Sequence, residues 1–181
     1  GLIRETIIAA FFGATRQLDA FLVAYTLANL ARQLLAEGAL SATFVPVFSR
    51  ALSAQGETRA KELGRQALTL LIVIGLFVVC LGIILSPQLV SLIAPGFSGE
   101  EAALAVSFTK RLFPFLLIIS LSALVMGVLN SLGSFFVPAV APAVSNVVFI
   151  VIVLFFYKKY GISVLPIAVL AGGVSQFCVQ W

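Results

Sequence analysis

Histidine is absent from this 181-residue chain and charge is scarce: Asp, Glu, Lys and Arg together make up 10% of it. The first absence removes the commonest general base and the commonest metal ligand. The second removes the polar surface a water-soluble domain needs, since about a quarter of such a domain is charged. Cysteine occurs twice, as Cys80 and Cys178, far apart and inside apolar runs. They form neither a disulfide framework nor a metal-binding spacing and are expected to be buried reduced thiols. There is no phosphate-cradling glycine loop, no Ser/His/Asp set and no carboxylate pair in a polar setting. The adjacent Glu100 and Glu101 read as a solvated helix start, where acids suit the helix dipole. No enzyme, cofactor, metal or nucleic-acid partner is expected.

What is present is apolar. Hydrophobic residues make up 61% of the chain and the mean hydropathy is +1.17. Residues Gln66–Gly99, Leu112–Tyr157 and Tyr160–Trp181 carry no charge. A helix crosses a bilayer core of about 30 Å with about 20 apolar residues, so these runs hold one, two and one spans. The chain opens without Met and stops at Trp181 inside an apolar stretch, as expected of an excerpt with truncated first and last helices. No signal-peptide pattern is visible.

Six helical segments are predicted: a first ending at Gly13-Ala14, a second from Leu18 to Phe48, and a third from Arg65 to Ile93. A fourth follows from Glu101 to Leu132, a fifth reaches Phe156, and a sixth opens after Gly161. Glu37-Gly38 interrupts the second, which bends or ends near Pro46. The third stops at Ala94-Pro95-Gly96-Phe97. Gly133, Ser134 and Pro138 mark an uncharged turn, predicting a tight hairpin of neighbouring helices. Arg50, Arg59, Lys61 and Arg65, mixed with Glu57 and Glu62, read as a solvated loop that the positive-inside rule puts in the cytoplasm. Lys110, Arg111, Lys158 and Lys159 at the other end oppose that orientation. Pro138, Pro142 and Asn146 recur every fourth residue and share a helix face, either for packing and kinking or to line a cavity or hinge.

Charges within the apolar segments are the anomaly. A charge near the centre of a membrane helix costs about 2.5–3.5 kcal/mol on insertion scales, so it faces protein or water rather than lipid. Asp19, Arg32 and Glu37 lie in the second segment and Arg4-Glu5 in the first. Asp19 and Arg32 stand about 20 Å apart along a straight helix and cannot pair. Asp19, Arg32 and Glu37 are also readable as membrane-edge residues. Arg4 and Arg32, on adjacent antiparallel helices, could form a cationic cavity, and guanidinium suits a phosphate-bearing headgroup.

Several stretches, in order along nearly the whole chain, resemble the MurJ/MviN family. They include Gly1–Glu5, Leu18–Phe21, Asn29–Arg32, AEGALSATFVPVFS at Ala36–Ser49, APGF at Ala94–Phe97 and FPFLLIISLSALVMGVLNSLG at Phe113–Gly133. PAVAPAVSN at Pro138–Asn146 and AGGVSQ at Ala171–Gln176 complete the set. The resemblance implies an all-α, polytopic transmembrane bundle. Residues 1–181 would be the N-terminal lobe of a two-lobe transporter whose second lobe is a partner in the same chain.

It further implies a multi-pass protein of the bacterial cytoplasmic membrane, a flippase of the multidrug/oligosaccharidyl-lipid/polysaccharide exporter superfamily. Such a protein moves lipid II, the polyprenyl-diphosphate precursor of peptidoglycan, from inner to outer leaflet by alternating access. Membrane lipid and wall-synthesis proteins are further implied partners. Exporters of other polyprenyl-linked glycans, and a non-transporting scaffold for wall synthesis, are the alternatives. By the same resemblance Arg4, Arg32 and Asp19 belong to the substrate cavity. Glu37, Gly38, Asn29, Pro46, Pro138, Pro142 and Asn146 belong to structural motifs. The family usually has LPNLLRR where this chain has Leu27-Ala28-Asn29-Leu30-Ala31-Arg32-Gln33, and Ser134 stands where a basic residue is frequent. The cavity is thus less cationic than a typical member's.

Overall fold

A computed structural model describes residues 2–33 and 41–181. Every regular element among them is helical. In chain order they are α1 (Leu2–Phe12), α2 (Arg16–Arg32), α3 (Ser41–Ile84), α4 (Ser86–Ile93), α5 (Glu100–Ser131), α6 (Phe136–Tyr160), a 3-10 turn (Gly161–Ser163) and α7 (Val164–Gln180). Among the described residues, three stretches are long and apolar enough to cross a membrane: Phe44–Ile84, Glu100–Ser131 and Phe136–Gln180.

The last stretch is a hairpin of two spans. Gly161, at φ 52°, takes a left-handed conformation that side chains resist, and α7 then packs back along α6. Helix α5 is the hub, touching α2, α3, α4 and α7. Its Phe108, Leu112 and Phe115 join Phe21 of α2, Phe149 and Val153 of α6 and Leu165 and Val169 of α7 in the largest core cluster.

Helix α2 runs parallel to α5. Arg16 pairs with Glu101, 85 residues on, at one end, and Phe21 meets Phe108 further along. The start of α3 continues the same track, with Val45 against Gly127 and Ser49 bonded to Ser131, 82 residues on. The two together follow the course predicted for one long second segment. Its interruption at Glu37 and Gly38 lies outside the described residues. Pro46 neither ends nor delays α3, which runs on past it.

The charged stretch from Arg50 to Arg65 is not a loop. It is helical on both sides of a break at Gly56 (φ 82°, ψ 178°), a conformation that favours glycine. Beyond the break the chain doubles back, so that Gly64 faces Phe48. The charges that suggested a loop are spaced for a helix: Lys61 pairs with Glu57 at i,i+4 and Arg59 with Glu62 at i,i+3, contacts that favour helix by a few tenths of a kcal/mol each.

Other boundaries also differ. The predicted third helix splits at Leu85, where Pro87 opens α4 and Ser86 Oγ donates to the Ile83 carbonyl. Pro138 sits in the first turn of α6 rather than in the preceding turn, where a missing N–H costs little. Helix α6 extends to Tyr160. The Gly133 turn is tight, yet α5 and α6 touch only lightly because α7 stands between them. A Cβ on Gly172 would lie 3.0 Å from the Ser145 carbonyl of α6, and one on Gly173 would lie 2.9 Å from the Phe115 ring of α5. Two adjacent glycines therefore let α7 press against both neighbours, as small residues do in membrane helices. Cys80 and Cys178 are unpaired but exposed, not buried; on apolar helices of this kind an outward thiol faces lipid or further protein.

Candidate functional site

Arg4 lies on α1, two turns before its end, and its side chain is half buried. Its Nη2 donates to the Tyr25 hydroxyl of α2 at 3.1 Å. The guanidinium carbon sits 5.3 Å from the Tyr25 ring centroid and 5.4 Å from that of Phe149 on α6. Three helices thus cradle one cation between two aromatic faces, an arrangement worth about 0.5–2 kcal/mol per ring. Among the described residues no carboxylate pairs with Arg4. Its Nε is buried without a hydrogen-bond partner.

Arg32 closes α2 seven residues beyond Tyr25. Seven residues is two helical turns, so the two side chains share a face, about 10 Å apart along the axis. Arg32 Nε donates to Asn29 Oδ1 at 3.4 Å, which places Asn29 between them on the same stripe. The neighbouring Ala31 packs against Val79, Phe113 and Leu116, halfway along α5. Arg32 itself is half buried at about the mid-height of α5, where a charge is costly unless protein, water or a ligand faces it.

Asp19 is elsewhere. It lies exposed in the first turn of α2, four residues after Thr15, whose Oγ1 accepts from the Leu18 amide at 3.3 Å. A carboxylate there is favoured by the helix dipole, in keeping with its reading as an edge residue. The fold brings it to neither arginine. Pro138 is buried, Pro142 exposed and Asn146 half buried. Asn146 Nδ2 donates to the Pro142 carbonyl at 3.0 Å, so these residues make a local helix-face arrangement distant in sequence from both arginines.

Sequence reasoning did not single out Tyr25 or Phe149. Tyr25 could have been found, because it stands one heptad before Arg32 on a face that already held an unexplained charge. Phe149 is one of 16 phenylalanines and nothing local distinguishes it.

The apolar helices define a multi-pass membrane bundle, in which Arg4 of α1 is held against α2 and α6. A protein-family profile described as "Lipid II flippase MurJ" matches residues 8–181, and the chain belongs to that family. It is 41% identical over 184 residues to the lipid II flippase MurJ of Burkholderia cenocepacia, covering 99% of this chain and 36% of that protein. It is 33% identical over 177 residues to a probable lipid II flippase MurJ of Aquifex aeolicus, covering 97% and 35%. A solved structure titled "Lipid II flippase MurJ, inward closed conformation" superposes with a TM-score of 0.82 at 29% identity, covering 98% of this chain and 37% of that one. The chain thus spans about a third of the length of the relatives it matches.

Proposed function

We propose that this chain is the N-terminal lobe of a transporter that flips lipid II across the bacterial cytoplasmic membrane by alternating access. The observation that carries the reading is Arg4, held on an apolar helix by two aromatic rings and a phenol with no carboxylate against it among the described residues. A permanent cation without a counter-charge is an anion receptor in waiting. Arg32 stands on the same stripe of α2 as Tyr25, which holds Arg4, about 10 Å further along the helix, so that one helix face brings both cations into the reading. Family membership supports lipid II as the substrate.

In this reading Arg4 and Arg32 take the diphosphate and the sugar-peptide portion, while the polyprenyl tail stays in lipid. A second lobe of the same chain closes the cavity, and rocking of the lobes exposes it to either side in turn. Asp19, exposed at the far end of α2, stands outside this pair. The work done is transport, with no bond made or broken.

The test uses the full-length parent protein in a bacterium depleted of its own flippase, with an added enzyme that cleaves only outer-leaflet lipid II. The parent should restore cleavage, and Arg32→Ala should reduce it to background at normal expression. A well-expressed parent that restores nothing overturns lipid II as the cargo. Full activity of Arg32→Ala overturns the cationic-site mechanism.

A further inference from the structure

The cradle around Arg4 gives Tyr25 a second capability. A phenol has one O–H to donate besides the lone pairs with which it accepts. Here the oxygen accepts from Arg4 Nη2, and the hydroxyl hydrogen has no acceptor among the described residues. Accepting from a cation polarises the O–H and strengthens it as a donor. The ring cannot drift, because it stacks on the buried Phe21 with centroids 5.8 Å apart and planes 20° from parallel. The pair thus offers a neutral O–H beside the free N–H groups of a guanidinium, on the helix face that also carries Asn29 and Arg32.

We propose that Tyr25 is itself a headgroup-contacting residue. Its O–H donates to a diphosphate oxygen while its lone pair and ring face hold Arg4 in place. The inference rests on the reading that Arg4 faces the lipid diphosphate. It adds a neutral donor to a site whose family pattern suggested only charged residues.

Tyr25→Phe tests it, since that change keeps the ring, its stack on Phe21 and its face toward Arg4, and removes only the oxygen. In the full-length protein in nanodiscs, Tyr25→Phe should weaken lipid II binding about tenfold, the usual scale for one hydrogen bond to a charged group. Its thermal midpoint and its binding of phosphatidylglycerol should match the parent's. Because the two residues act together, adding Tyr25→Phe to Arg4→Gln should weaken binding less than the two separate losses combined. Parental lipid II affinity in Tyr25→Phe, with Arg4→Gln defective, overturns the role of Tyr25 alone. Parental affinity in Arg4→Gln overturns the headgroup reading and this inference with it. A Tyr25→Phe loss that is matched by a fall in thermal midpoint, or shared by phosphatidylglycerol, overturns it in favour of a packing role.

Discussion

The seam where α7 lies between α5 and α6 and the face shared by α1 and α2 are built on opposite terms. At the seam, Gly172 and Gly173 leave no room for a methyl group, and the surrounding Leu112, Leu165, Ala168 and Val153 are wholly buried. The α1–α2 face carries half-buried Arg4, Tyr25, Asn29 and Arg32 beside exposed Leu22, Thr26 and Leu30. Bilayer hydrocarbon gives apolar helices no hydrophobic reason to associate, so close packing must hold them together. A polar stripe contributes little to that packing. One region of the bundle therefore holds the helices together, and the other is left available for chemistry. Changes at the seam should cost stability, and changes on the stripe should cost function.

Gly172→Val tests the first half of that contrast and carries the largest expected effect. A Cβ there already meets the Ser145 carbonyl at 3.0 Å and its Oγ at 2.9 Å. The obstacle is backbone, so two further methyl groups must push α6 away. Overpacking of this kind costs about 1–3 kcal/mol, and thermal unfolding in detergent should show a clear drop in midpoint. An unchanged midpoint would mean that the seam is not what holds α6 to the bundle.

Arg32→Lys sharpens the other half. Lysine keeps the charge but loses the planar fork that grips a phosphate or carboxylate in two places. Transport should fall about tenfold, equivalent to about 1.4 kcal/mol, while the unfolding midpoint stays with the parent's. Were the midpoint to fall in step with transport, Arg32 would belong with the packing residues instead.

The contrast was half legible in the sequence alone. Long uncharged runs specified the spans because desolvating charge in a bilayer is so costly. Gly133 and Gly161 likewise announced the hairpin turns, which the backbone confirms at φ 80° and 52°. Which helices would touch was not legible. The tight, uncharged turn at Gly133 suggested that α5 and α6 pair, but a short turn fixes only where two helices begin, and the glycines of α7 decide what lies between them. The stretch from Arg50 to Arg65 misled for a related reason. Charge density marks solvent exposure, and an exposed helix carries it as readily as a loop does. On the open face, Arg4 and Arg32 stood out as charges in apolar helices, whereas their aromatic and amide partners had to be found in space.

The smallest effect is expected where α2 and α5 begin, at the ion pair between Arg16 Nη1 and Glu101 Oε1. The separation is 2.9 Å, but the arginine side chain is 87% exposed. Solvent screens such a pair, and ordering two long side chains offsets much of the attraction, so pairs of this kind contribute about 0–1 kcal/mol. Arg16→Ala should move the unfolding midpoint by no more than about a degree or two, and raised salt should shrink even that difference. Helix α2 keeps its place without the pair, because Ala20, Phe21, Ala24 and Ala28 are buried against the bundle. Transport in Arg16→Ala should equal the parent's, since the stripe from Arg4 to Arg32 hangs on those buried residues. A large loss of transport with an unchanged midpoint would extend the functional face to the far end of α2, where Asp19 stands, and would move the boundary between the two regions.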